Sequence, residues 1–375
     1  LRRFLPVWYN GSNVPLNSFQ TSGSSPTDRD HRCRVGILGF GTVGSTVARR
    51  LTGPDPIPQL KLTHIADRRA RDKRPRQPEP IASITWTERF DDLLASDVDI
   101  VIETVSGGEA AVDYIRAALL AGKSVVTANK KVMAHQGHAL LTLAERQGRQ
   151  LRFEAAVGGA MPIVRVLGNG VSGDRVTAFS AILNATSNAV LSRMEAEGCD
   201  IDEAIASACA NGYAEIDPSL DLDGSDAGAK LVILCALAFK LRVDPDAIET
   251  RTTAGIGLDA FKRAHLRGGT IRQIAHASYD PTQGVLTAWV APIFVANTSI
   301  FAHMTGPQNA AVITCAYAGD IILSGQGAGG DAPAVAILGD VLEIARDRAA
   351  IVPAPALVEP REIRGLSEQS FAEAV

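Results

Sequence analysis

Asp226 and Lys230 stand four residues apart, just ahead of Leu231 to Phe239, nine residues without one polar side chain. Four-residue spacing puts the pair on one helical face, and a helix that is apolar all round is buried. Lys230 therefore lies where its helix enters the interior, and a partly desolvated ammonium beside one carboxylate can be tuned for proton transfer. A surface ion pair worth about 0.3–0.5 kcal/mol is the competing reading of the same spacing. Upstream, the stretch from Gly212 to Gly224 carries Glu215, Asp217, Asp221 and Asp223, four acids within nine residues. Such a cluster suits a divalent metal, a substrate ammonium or plain hydration. Its spacing does not match the D-x-[DN]-x-[DN]-G calcium loop, and composition does not choose among the three.

A second constellation is Gly39-Phe40-Gly41-Thr42-Val43-Gly44, which has G-x-G-x-x-G spacing between a strand at 35–38 and a helix at 42–51. The first glycine allows the tight turn, the second lets backbone approach a pyrophosphate, and the third lets helix and strand pack closely while the helix N-terminus faces the anion. Gly39, Gly41, Thr42, Val43 and Gly44 are accordingly read as cofactor-binding. Asp67 ends the next strand, where a carboxylate can accept from the ribose 2′-hydroxyl of NAD. Arg68, Arg69 and Arg71 follow at once and would attract the 2′-phosphate of NADP. The reading favours NAD with NADP tolerated. Thr127-Ala128-Asn129-Lys130 ends another strand on the edge where open α/β sheets bind ligands; Lys130 there can polarise a carbonyl, or is simply solvated. Glu103-Thr104-Val105-Ser106-Gly107-Gly108 leaves the neighbouring strand on that same edge.

Such residues need a sheet to hold them. Strands at 35–38, 60–66, 98–102 and 124–128 alternate with helices at 42–51 and 109–121, and 67–80 reads as a charged surface loop. That rhythm means parallel βαβ units. Beyond residue 151 the pattern is mixed, with strands at 151–156, 176–183, 285–290 and 311–315, helices at 201–210 and 227–240, and a last helix at 334–348. The expected architecture is an α/β Rossmann nucleotide-binding domain over 31–151, completed by the helix at 334–348, plus an α+β domain over 152–330. Residues 1–30 read as a disordered tail and 351–375, with prolines at 353, 355 and 360, as a loose one. The 375 residues, 46% hydrophobic and 21% charged, exclude bulk disorder. A net charge of −4 argues against a chain-wide grip on nucleic acid or anionic membrane. The longest apolar run is half the roughly 18 residues of a membrane span. Five scattered cysteines without a disulfide or zinc framework favour a reducing, cytoplasmic setting.

Taken together, the blocks Ile37 to Gly44, Glu103 to Gly108, Val125 to Lys131, Phe153 to Pro162, Ile182 to Asn188, Gly212 to Leu237 and Gly325 to Asp340 resemble the homoserine dehydrogenases. These enzymes interconvert L-homoserine and L-aspartate 4-semialdehyde with NAD or NADP, in threonine, methionine and isoleucine biosynthesis. The resemblance implies that Lys230 is the catalytic proton donor and acceptor, that Asp226 orients it, and that Lys130 lies near the reacting oxygen. It implies substrate contacts from Glu215, Asp221 and Thr186, and cofactor contacts near the nicotinamide from Thr104 and Gly329. Glu154, Val157, Gly159 and Met161 match a monovalent cation loop, in which backbone carbonyls and one side chain would hold Na⁺ or K⁺. A homodimer, joined through a domain that is both catalytic and dimer-forming, is implied as well.

Three departures accompany the likeness. Ala185 stands where many members carry glycine, which predicts strain if that backbone has φ > 0. Pro333 occupies a place where a small polar residue is common. Residues 351–375 are too few for the C-terminal regulatory ACT domain that many relatives carry, so threonine feedback through such a domain is not expected. Two other readings stand beside this one: a related dehydrogenase acting on another amino-acid-derived aldehyde or alcohol, and a catalytically silent NAD(P)-binding sensor.

Overall fold

The computed structural model of the chain describes residues 32–214, 217–348, 350, 352–369 and 371. The tail expected at 1–30 and the substrate role expected of Glu215 fall outside the described residues.

β1 (Cys33–Leu38), β2 (Leu60–Ala66), β3 (Thr85–Thr87), β4 (Ile100–Glu103), β5 (Ser124–Thr127) and β6 (Leu151–Arg152) form a parallel sheet in the order β3-β2-β1-β4-β5-β6. Val35, Ile37, Ile100, Ile102, Val125 and Val126 are wholly buried, as a sheet covered on both faces requires. The intervening and following helices are α1 (Thr42–Thr52), α2 (Ala70–Lys73), α3 (Phe90–Ala95), α4 (Glu109–Leu120) and α5 (Lys130–Arg146). The strand order reverses between β1 and β4, and that reversal opens a crevice at the C-terminal ends of the strands.

Past the short α6 (Ile163–Arg165), a mixed sheet gathers β7 (Val176–Ile182), β8 (Glu249–Thr250), β9 (Gly269–Asp280), β10 (Val285–Ala296), β11 (Gln308–Cys315), β12 (Gly319–Gln326) and β13 (Glu362–Arg364). Its order is β12-β11-β7-β9-β10-β13, with β8 also on β10; β8 and β13 run parallel to β10 and the other pairs are antiparallel. The helices of this half are α7 (Ala185–Glu197), α8 (Ile201–Ala210), α9 (Ser219–Leu222), α10 (Ser225–Phe239) and α11 (Leu258–Leu266). Leu231, Leu234 and Cys235 of α10 share one core with Ala275, Ala277, Ala288 and Val290 of the sheet. The chain then returns. α12 (Asp331–Arg346) lays Ile337 and Val341 into the core of the first sheet, with Val35, Ile37 and Val47.

Several expectations need correcting. The loop expected at 67–80 contains α2 and a 3₁₀ turn at Arg74–Arg76, because Asp67 accepts the Arg69 N–H and Lys73 folds back onto Asp67. The strand expected over 151–156 stops at Arg152; Glu154–Ala156 is a 3₁₀ turn whose first N–H donates to the buried Asp340 carboxylate. Lys130 does not close a strand but opens the 17-residue α5, capped by the Asn129 side chain. The tail from 351 contributes β13 to the mixed sheet. Ala185 begins α7 behind its cap Asn184, at φ −115, and the only non-glycine residue with positive φ among those described is Lys240. The extra methyl therefore meets no left-handed backbone. Pro333 lies in the first turn of α12, where a helix needs no internal N–H donor.

Candidate active site

The coenzyme turn is shaped by two close approaches. Gly39 has φ +94, and a β-carbon there would stand 2.9 Å from the Thr104 carbonyl. At Gly44 a β-carbon would collide with the Gly39 carbonyl oxygen, so helix and strand can close only over glycine. Gly41 opens onto free space and precedes α1, whose first-turn N–H groups have no internal acceptor and face an incoming anion. Thr104 joins the turn from β4: its hydroxyl donates to the Gly39 carbonyl at 2.8 Å. Gly329, at φ +96, lies on the return segment, and its neighbour Gly330 packs against Thr42 and Thr46 of α1. Thr42 is exposed and Val43 half-buried on the same turn. These residues fit a dinucleotide.

Asp67 is not a free ribose acceptor. Its Oδ2 accepts the Phe40 N–H at 2.8 Å and the Lys73 ammonium at 2.6 Å, and its Oδ1 accepts the Arg69 N–H at 2.8 Å. Burial raises its pKa, but these donors prevail and hold it below the ordinary carboxylate value. Arg68 is exposed beside it. Lys73 is the group that sequence reading missed. Its signal was a lysine six residues past the acid, in a stretch that reads as solvated.

The second half of the site is built on α10. Asp226 is buried at its first turn and accepts the Lys230 ammonium at 2.6 Å on Oδ2. Its Oδ1 pairs with the Lys130 ammonium, which arrives from the coenzyme sheet. Asn184 donates from Nδ2 to Asp221 at 2.7 Å and to Asp226 at 2.8 Å, while its Oδ1 caps Ser187. Lys230 also donates to the Leu183 carbonyl at 2.8 Å. Desolvation raises the Asp226 pKa, yet the two facing ammonium groups win and hold it ionised, well below the usual range. For Lys230, burial lowers the pKa, helped by Lys130 and opposed by Asp226. Asp221 is pushed up, chiefly by burial, with Asp226 adding to the shift. Asp226, Lys230, Lys130 and Asp221 thus lie together. Asn184, which joins them, was detectable only as a capping asparagine with amide protons to place elsewhere.

Thr186 is buried at the start of α7, and its hydroxyl donates to the Tyr213 carbonyl at 2.7 Å, tethering the acid-rich loop. Among the described residues no group of three or more His, Cys, Asp or Glu is placed to hold a metal ion. In the expected cation loop, Glu154 is buried and both its oxygens accept backbone N–H groups, from Val164 and Arg165 at 2.9 Å each. The Met161 carbonyl accepts the Ile163 N–H at 2.8 Å, and Gly159 has φ +62.

A dinucleotide turn, together with two ammonium groups gathered on one carboxylate, suits hydride exchange at a carbon whose oxygen must gain or lose a proton. That chemistry assigns the chain to the NAD(P)-dependent oxidoreductases. The profile of "Homoserine dehydrogenase" matches residues 162–342, and that of "Homoserine dehydrogenase, NAD binding domain" matches 39–154. A homoserine dehydrogenase of Mycobacterium leprae is 37% identical over 324 residues, covering 84% of this chain and 72% of the relative. One from Synechocystis is 34% identical, over 83% of this chain and 73% of its own. Among solved structures, a homoserine dehydrogenase from Thiobacillus denitrificans superposes with a TM-score of 0.78 at 28% identity, covering 89% of this chain and 80% of that one. A hyperthermophilic archaeal homoserine dehydrogenase in complex with NADPH gives 0.69 at 27% identity, over 86% and 99%. The chain belongs to the homoserine dehydrogenase family.

Proposed function

We propose that the chain interconverts L-homoserine and L-aspartate 4-semialdehyde with Lys230 as its proton-transfer group. The observation that carries this is the contact between halves: Lys130, from the edge of the coenzyme sheet, meets the carboxylate that holds Lys230. NAD or NADP, when bound, supplies the hydride acceptor or donor. The work of the chain is at the oxygen. In reduction of the aldehyde, negative charge grows there, the Lys230 ammonium donates a proton to it, and Lys130 stabilises the charge. Asp226 fixes both ammonium groups and opposes the lowering of the Lys230 pKa by burial. In oxidation Lys230 starts as the neutral amine, which the lowering of its pKa favours, and accepts the hydroxyl proton instead.

Asp221, together with Glu215, offers carboxylate to the α-ammonium of the amino acid, and Asn184 orients Asp221 by its 2.7 Å bond. Na⁺ or K⁺ at the carbonyls of Val157 and Gly159 belongs to the proposal as an organiser of the turn before α6. A cytoplasmic homodimer completes it. The described cysteines are all free thiols and four of them are buried, which suits a reducing compartment. Ile322, 55% exposed on the edge strand β12, supports a dimer contact through the second sheet. No helix of the described residues is long and apolar enough to cross a membrane.

Absorbance at 340 nm with L-homoserine and each coenzyme, with sodium, potassium or neither, tests the reading. Reduction of coenzyme with homoserine is expected. Turnover confined to another amino alcohol would replace the substrate, and none at all would leave a coenzyme-binding protein. Sedimentation at micromolar concentration tests the dimer.

A further inference from the structure

Glu103, the last residue of β4, is wholly buried. Its Oε1 accepts the Val105 N–H at 2.7 Å, its Oε2 accepts the Thr127 hydroxyl at 2.5 Å, and the Asn129 side chain also reaches it. Burial pushes its pKa up to about 7 against these donors. The Thr127 oxygen accepts the Asn129 N–H at 3.0 Å. Asn129 then caps α5 at the Val132 N–H and donates from Nδ2 to the Gly107 carbonyl at 2.6 Å. One carboxylate thereby ties together the loop after β4, the end of β5 and the first turn of α5.

Those three pieces bear on the reaction. The loop carries Thr104, bonded to the coenzyme turn, and the first turn of α5 carries Lys130. The tip of Lys130 is held by Asp226, but its backbone is placed by the Asn129 cap. A shift of that cap moves the ammonium relative to the coenzyme side of the crevice, and a misplacement of about 1 Å can lower a rate about a hundredfold. Desolvating a carboxylate is costly, so a charge-bearing side chain is an expensive way to join two strands and is explained by what it aligns. We propose that Glu103 is a positioning residue, acting through Thr127 and Asn129 to set Lys130 against the coenzyme loop. This rests on the assignment of Lys130 to the reacting oxygen.

The test is Glu103→Gln, which keeps shape and removes the charge. The coenzyme dissociation constant, read by NADPH fluorescence, and KM for homoserine should each stay within about threefold, while kcat falls about tenfold or more. The deciding measurement is the double variant with Lys130→Ala: it should be no slower than Lys130→Ala alone, because a residue acting through Lys130 has nothing left to act on. Thr127→Val should lose kcat as Glu103→Gln does, and Thr127→Ser, which retains the hydroxyl, should recover most of it. Unchanged kcat in Glu103→Gln and Thr127→Val, or losses that multiply in the double variant, would overturn the proposal while leaving Lys130 in place. A fully active Lys130→Ala would take down both.

Discussion

At the scale of single residues, the site reduces to one carboxylate between two ammonium groups. Lys230→Ala removes the proton-transfer group and is expected to lower turnover by about 10²–10⁴, with NADPH binding kept, because the coenzyme turn lies on another element. Loss of coenzyme affinity in step with turnover would show instead that Lys230 supports the fold. The Asp67–Lys73 pair carries a prediction of two signs. Asp67→Ala frees Lys73 beside the exposed Arg68 and should raise NADP use relative to NAD. Lys73→Ala bares the carboxylate, which repels a 2′-phosphate, and should shift the ratio toward NAD; about tenfold in each direction is ~1.4 kcal/mol. An unchanged ratio of kcat/KM in both variants would remove the pair from coenzyme choice. Sequence alone made the Asp226–Lys230 spacing legible, because four residues on a helix is a geometric statement. It did not reveal that Asp67 is saturated by Phe40, Arg69 and Lys73, since those bonds depend on how the chain turns after β2.

Elements were readable where one pattern dominated. Ile201–Ala210 carries its own start signal, Asp200 capping Glu203, and the glycine motif lay between an apolar strand and a helix. β9 was not readable, because Arg272, Gln273 and His276 interrupt its alternation. Arg272 is 1% exposed yet paired with Glu195 at 2.8 Å and bonded to Thr270 and the Ile271 carbonyl, so a partner distant in sequence makes the strand possible. α5 was missed for a related reason: its cap sits against the end of β5, and strand and helix share only Ala128 and Asn129 between them. The glycine turn supplies the prediction at this scale. Gly44→Ala puts a methyl into the Gly39 carbonyl, and overpacking of that kind destabilises by about 1–3 kcal/mol. Coenzyme affinity should fall with the melting temperature, as read by titration and thermal unfolding; unaltered values of both would mean that the turn has slack.

Across the molecule, the parallel sheet carries a buried acid whose ionisation opposes folding. Glu103 has its pKa raised to about 7 from the ordinary 4.5. The folded chain therefore holds this proton where the unfolded chain has released it, and the contribution is full below pH 4.5 and fades as pH rises through about 7. Glu103→Gln mimics the protonated form, so its stability relative to the natural chain should rise between pH 5 and pH 7.5, by on the order of 1–3 kcal/mol. Thermal unfolding of the two proteins across that range checks it, and a constant gap would mean that Glu103 ionises normally. The two-part architecture was legible from the change of rhythm after residue 151, but the attachment of β13 was not, because three residues with two charges give no periodicity. The return of α12 has a consequence for synthesis. Val47, Leu51 and Ile65 share their core with Ile337 and Val341, so a growing polypeptide on the ribosome exposes that greasy strip until α12, about 290 residues downstream of α1, has emerged. Premature termination before residue 331 should thus leave a sticky, chaperone-dependent product rather than a small, independently soluble nucleotide binder.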